Sequence, residues 1–190
     1  MTMLVLASQS ASRRAMLDAA GVTFDPRPAH VDEAGLKAAL LREGQTPRAI
    51  ADALAELKAL KISRADPGAL VIGSDSLVSV DGRLFDKPES RAASADHLRL
   101  FSGREMRLTS AVVAAEGGRA VWRHVDEARL QVRPLSDAFI ETYLDAEWPA
   151  IAGCVGCFRI EAIGVQLFAR VEGSHFTILG MPLMPLLDWL

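Results

Sequence analysis

An apolar run from Met3 to Leu6 passes directly into Ala7-Ser8-Gln9-Ser10-Ala11-Ser12-Arg13-Arg14, and this junction constrains the fold more than any other part of the chain. The run reads as a short buried strand, and Ala15 to Ala20 beyond the turn reads as a helix. A strand, a hydroxyl-rich turn and a helix start together aim backbone N–H groups and the positive end of a helix dipole at one point, where an anion can sit. Arg13 and Arg14 add fixed charge and forked donors suited to phosphate oxygens. An ordinary serine N-cap with solvent-facing arginines explains the same residues. The Gly-x-x-x-x-Gly-Lys-Ser/Thr pattern of a P-loop is missing.

The elements that follow keep alternating. Val22 to Arg27 reads as a strand, followed by a polar loop with His30, Asp32 and Glu33. Thr46-Pro47 opens a helix with a hydroxyl cap and proline in the first position, Ile50, Leu54 and Leu57 keep helical spacing, and Asp66-Pro67-Gly68 ends it. Ala69 to Gly73 reads as a central strand. Leu77 to Val80 and Arg83 to Phe85 flank Asp81-Gly82, a strong hairpin signal. Ser90 to Leu100 is helical, and Met106 to Ala115 with Ala120 to Val132 form a second hairpin. A helix over Ser136 to Ala146, a strand over Val165 to Val171 and a last helix after Gly180-Met181-Pro182 complete the series. Such alternation predicts a mixed α/β fold.

Composition removes several functions. The net charge is -3, with no basic stripe to displace counterions from a nucleic acid. No apolar run is long enough to span a bilayer, and no charged n-region precedes an apolar core, so a cytoplasmic protein is expected. No tail for partner binding is expected after Trp189. The two cysteines, Cys154 and Cys157, form a C-x-x-C, which is half a zinc site, while His30, His97, His124 and His175 lack ligand spacing. The pair stands too late in the chain for a thioredoxin-like motif, and two thiols packed near a glycine turn is the better reading.

Several charged residues could carry chemistry. Gly73-Ser74-Asp75-Ser76 falls at the C-terminal end of the predicted central strand, where open α/β sheets bind ligands, although an Asx-type turn would use the same residues. Pro88 restricts Lys87 to extended conformations. Asp32 and Glu33 form an acidic pair, Lys58 falls on the polar side of its helix, and the apolar neighbours of Glu161 predict partial burial, which demands a partner or ligand. The set has one chemical sense. Arg13, Arg14, Lys58 and Lys87 suit a polyphosphate, Glu33 and Asp75 suit a divalent metal and an attacking water, and Glu161 suits a nucleobase. Phosphate-ester hydrolysis by positioning and charge neutralisation needs those parts.

On these residues the chain resembles the Maf family of nucleoside triphosphate pyrophosphatases over essentially its full length, as one domain. The family's Leu-Ala-Ser-x-Ser-Pro-Arg-Arg is matched by Leu6-Ala7-Ser8-Gln9-Ser10 and Arg13-Arg14, and its acidic loop by Val31-Asp32-Glu33. Leu54-Ala55-Glu56-Leu57-Lys58-Ala59, Gly73-Ser74-Asp75, Lys87-Pro88 and Phe101-Ser102-Gly103 match further elements in order, as do Glu172-Gly173 and Leu179-Gly180-Met181-Pro182-Leu183. The resemblance implies an elongated, two-lobed mixed-sheet fold with a central cleft, often as a homodimer. It implies hydrolysis between the α- and β-phosphates to a monophosphate and pyrophosphate. Asp75 would accept the proton from water, Glu33 and Asp75 would hold Mg²⁺ or Mn²⁺, and Ser8, Arg13, Arg14, Lys58 and Lys87 would grip phosphates.

Departures from the family pattern bear on the base. Ala11-Ser12 stands where many members have one proline, and this longer turn, Gly73-Ser74-Asp75 and Phe158-x-x-Glu161 resemble the branch acting on 7-methyl-GTP. The branch acting on dTTP and UTP has Gly-Ala-Asp-Thr and an Ile-Gln near the end. A carboxylate at Glu161 favours a donor-rich or cationic base such as 7-methylguanine. Ser76 matches neither branch's residue, Ser12 lacks the aromatic of some members, and Asp86 replaces a common glycine. The expected substrate is 7-methyl-GTP. The alternatives are a dTTP/UTP pyrophosphatase, a non-catalytic nucleotide-binding regulator of cell division, and a C-x-x-C oxidoreductase.

Overall fold

Strand β1 (Leu4–Leu6) forms where the apolar run predicts it, and Val5 and Leu6 are fully buried in this computed structural model, which describes residues 3–190. It pairs in parallel with β2 (Asp25–Pro26) on one side and with β3 (Leu70–Val80) on the other. The hydrogen-bonded order is β2-β1-β3-β5-β6-β7, with β5 (Glu105–Glu116), β6 (Arg119–Val132) and β7 (Phe168–Glu172), while β4 (Arg83–Phe85) pairs antiparallel with β3. The protein has the mixed α/β fold that alternation predicts.

Two compact units divide the chain. The first holds residues up to Ser76, Thr109–Asp126 and His175–Leu190; the second holds Leu77–Leu108 and Glu127–Ser174. In the first unit, Leu6, Met16, Leu17, Ile72, Val112, Met181 and Leu186 build one apolar core. Helix α1 (Ala11–Ala19) reaches it with Met16 and Leu17, and α7 (Leu183–Trp189) with Leu183 and Leu186. In the second unit, α4 (Arg91–Phe101) packs on α5 (Asp137–Glu147), and Arg91 bonds Glu141 at 2.7 Å. Ser10, Asp32, Thr46, Ser90 and Ser136 each accept from the backbone N–H three residues on, a bond worth about 1 kcal/mol per helix.

Several elements differ from the sequence reading. Helix α1 starts at Ala11, not Ala15, so Ser12, Arg13 and Arg14 lie in its first turn. Strand β2 keeps two of six expected residues, because it is an edge strand and Pro26 supplies no N–H. The loop after Asp32 is instead helix α2 (Glu33–Arg42), capped by Asp32, with Leu36, Ala39 and Leu40 half-buried at helical spacing. The strand expected over Val165 to Val171 is a 3₁₀ turn to Leu167 followed by β7, and the short α6 (His175–Leu179) precedes Gly180.

Candidate active site

Asp75 does not end a strand. Strand β3 continues unbroken from Leu70 to Val80, so Gly73-Ser74-Asp75-Ser76 lies in its middle and no Asx turn forms there. Helix α3 (Pro47–Ala65) crosses this point at very short range. A Cβ on Gly73 would strike the Ala55 carbonyl and stand 2.7 Å from the Ala59 nitrogen, so a side chain is excluded there. The close approach turns Lys58 inward. The expected solvent-facing lysine is in fact 8 % exposed, on the buried face with Leu54, Ala55 and Ala59. Spacing alone could not show this, because a lysine on a face of small residues reads as polar whenever the contacting glycine is not considered.

Lys58 Nζ bonds Asp75 Oδ1 at 2.7 Å and Glu33 Oε2 at 3.0 Å. Asp75 is 7 % exposed, whereas the Glu33 side chain at the start of α2 is about half exposed. Two carboxylates from separate elements therefore gather on one positive charge. Oxygen donors converging in this way fit a hard divalent ion, which is held by one or two carboxylates and completed by water and substrate phosphate. Among the described residues no group of three or more His, Cys, Asp or Glu is gathered to hold a metal by protein ligands alone.

Arg13 is the second feature. It is 9 % exposed, and its bonds go to neutral acceptors: Nε donates to the Gly180 carbonyl at 2.8 Å, Nη1 to Ser8 Oγ at 3.3 Å and Nη2 to Ser76 Oγ at 3.1 Å. Burial lowers its pKa from the ordinary arginine value, and the negative charges of Asp75 and Glu33 oppose that shift. The guanidinium still carries its charge, and two of its five N–H donors remain for a ligand. Ser12 donates to the Leu179 carbonyl at 2.9 Å and stands 3.0 Å from Ser10 Oγ. Arg14 bonds the Ser8 carbonyl at 3.5 Å, and its buried Nε has no partner among the described residues. Ser8, Ser12, Arg13, Arg14, Glu33, Lys58, Asp75 and Ser76 thus all belong to the first unit.

The sequence reading missed the backbone that holds this set. The carbonyls of Thr177, Leu179 and Gly180 accept from Ser110, Ser12 and Arg13 respectively, and Ser74 Oγ bonds the Ala111 carbonyl at 2.8 Å. Carbonyl acceptors leave no mark in a side-chain pattern. The one available signal was Gly180, whose φ of +113° only glycine adopts readily.

Lys87 and Glu161 belong to the second unit, and both are exposed. Partial burial was expected for Glu161, but Ile160 turns inward and the carboxylate faces out, within electrostatic range of Arg159 and Cys154. The cysteines are free thiols. Burial pushes Cys154 up and Cys157 up to about 12, so neither forms a thiolate readily at neutral pH. Cys157 is buried, with Sγ 3.6 Å from His97 Nδ1, and Cys154 is half-buried.

The family model described as Maf-like protein matches residues 3–190. The chain belongs to the Maf-like family. A nucleoside triphosphate pyrophosphatase of Sphingopyxis alaskensis is 56% identical over 98% of this chain and 95% of its own length. A 7-methyl-GTP pyrophosphatase of Rhizobium meliloti is 45% identical, over 98% of this Maf-like chain and 94% of that protein. A solved HAM1 protein from Coxiella burnetii superposes with a TM-score of 0.47 at 16% identity, covering 70% of this chain and 73% of that one. No helix among the described residues is long and apolar enough to cross a membrane.

Proposed function

We propose that this Maf-like protein is a nucleoside triphosphate pyrophosphatase that cleaves the α–β phosphoanhydride and prefers 7-methyl-GTP. One observation carries the reading: a buried arginine bonded to neutral groups, within electrostatic reach of two carboxylates gathered on Lys58. A buried cation without a carboxylate of its own suits a polyanion that arrives from outside.

The reaction follows from the atoms present. Lys58 occupies Asp75 Oδ1 and leaves Oδ2 to orient water and take its proton. The water oxygen bonds to the α-phosphorus, the α–β bridging bond breaks, and pyrophosphate departs with the electron pair. Arg13 meets the charge that grows on the phosphate oxygens, with Arg14 and the Ser8 hydroxyl beside it. Glu33 and Asp75 would hold Mg²⁺ or Mn²⁺, which supplies charge neutralisation at the phosphates when bound. Lys87 enters on chemistry alone, as an exposed ammonium suited to phosphate. Glu161 enters in the same way, as an acceptor-only carboxylate suited to a cationic base. The 45% identity to a 7-methyl-GTP pyrophosphatase supports the base preference.

The test is product analysis on 7-methyl-GTP, GTP, dTTP and UTP with Mg²⁺ or Mn²⁺, in wild type and Glu161→Gln. The expected outcome is monophosphate plus pyrophosphate, fastest from 7-methyl-GTP, with that preference reduced in Glu161→Gln. Release of orthophosphate would refute the α–β assignment, and fastest turnover of dTTP or UTP would refute the base assignment.

A further inference from the structure

Ser76 sits beside the catalytic carboxylate, yet its hydroxyl points at Arg13. Arginine has only donors, so Ser76 Oγ must accept from Arg13 Nη2 across their 3.1 Å contact. The hydroxyl's own hydrogen has two takers, Ser110 Oγ at 2.8 Å and the Gly180 carbonyl at 2.9 Å. Ser110 already donates to the Thr177 carbonyl at 2.8 Å, so its oxygen is left to accept from Ser76. The chain of donors therefore runs one way, and it leaves the Ser76 oxygen as an acceptor for the guanidinium. Gly180 completes the clamp from the other side by taking Nε at 2.8 Å. A Cβ on Gly180 would stand 3.3 Å from Ser76 Oγ and 3.7 Å from Arg13 Nε, so the three groups are packed in contact.

We infer that Ser76 is a positioning residue that acts through Arg13: it fixes the guanidinium plane so that the two unused N–H donors face the phosphate. The inference rests on the reading of Arg13 as a phosphate-binding group. It assigns Ser76 a part in phosphate binding, independent of which base the enzyme selects. Without the hydroxyl, Arg13 keeps its charge and the Gly180 bond but gains rotation about that bond, and the phosphate has to order it on binding.

A double-mutant cycle separates this from a structural role. Wild type, Ser76→Ala, Ser76→Thr, Arg13→Ala and the Ser76→Ala/Arg13→Ala double variant are compared in nucleoside triphosphate turnover with Mg²⁺. Binding of inorganic pyrophosphate by calorimetry is the second readout. Ser76→Ala is expected to weaken pyrophosphate and raise KM by roughly tenfold, the scale of one hydrogen bond to a charged group. Ser76→Thr, which keeps the acceptor, is expected to restore both, and in the Arg13→Ala background the Ser76→Ala effect should vanish. An equal loss from Ser76→Ala in both backgrounds would overturn the inference while leaving Arg13 in place as a phosphate ligand. Unchanged pyrophosphate binding in Arg13→Ala would overturn the phosphate-binding reading itself, and the inference with it.

Discussion

Arg13 in the first unit and Arg159 in the second show what burial of a cation means in two different settings. Arg13 is 9 % exposed and bonds a carbonyl and two hydroxyls. Arg159 keeps about a third of its side chain in solvent and grips Glu147, itself 2 % exposed, through two bonds of 2.9 and 3.1 Å. The second pair closes on itself. Its bidentate geometry neutralises both charges and ties α5 to the loop that carries Cys154 and Cys157. The first arrangement holds the side chain in place without neutralising it. Whether a buried charge serves stability or chemistry is thus read from its partners.

The contrast breaks most readily at Arg13. Arg13→Met should lower kcat/KM by roughly 100- to 1000-fold, the scale of one transition-state donor, with stability within about 1 kcal/mol of wild type. Chemical denaturation beside turnover measures both, and a large loss of stability with intact turnover would reverse the assignment. The converse should hold for Arg159→Met. Leaving Glu147 buried and unpaired should cost about 3 kcal/mol of stability while kcat/KM stays within about twofold.

The same loop sharpens the comparison through pH. Burial raises Cys157 from 9.0 to about 12, so the folded state keeps the proton where the unfolded chain loses it. The thiol's contribution is complete below pH 9 and is lost as pH climbs toward 12. Unfolding free energy should fall by about 1 kcal/mol between pH 9 and 10 on this account, and Cys157→Ala should flatten that slope. The smallest effect belongs to the neighbouring thiol: Cys154→Ser should leave pyrophosphate release within about twofold of wild type, and a large loss would revive a thiol chemistry.

Legibility in the sequence divides between local and tertiary features. Caps at Ser10, Thr46 and Ser136, the Asp81-Gly82 turn and the long β5–β6 hairpin are local features, and the chain folds as they indicate. Helix α2 escapes because Asp32 reads as a loop charge rather than as a cap, and β3 reads short because Gly73 looks like a strand end. Its real role is the close contact with α3, a tertiary fact that also decides which way Lys58 points. The charged members of the first unit's site could be named from motifs, since their chemistry lies in their side chains. The roles of the Gly180 carbonyl and of Ser110 could not, because a carbonyl acceptor and a serine in a hydrogen-bond chain acquire meaning only from what stands opposite.

The most direct test of the account is pyrophosphate release by Asp75→Asn, measured beside wild type on the same nucleoside triphosphate with Mg²⁺ and with binding followed separately. Asparagine keeps the shape and the contact to Lys58 but cannot accept a proton, so kcat should fall by roughly a thousandfold while nucleotide binding persists. Turnover close to wild type in Asp75→Asn would contradict the role of this carboxylate, and with it the mechanism built on Lys58, Glu33 and Arg13.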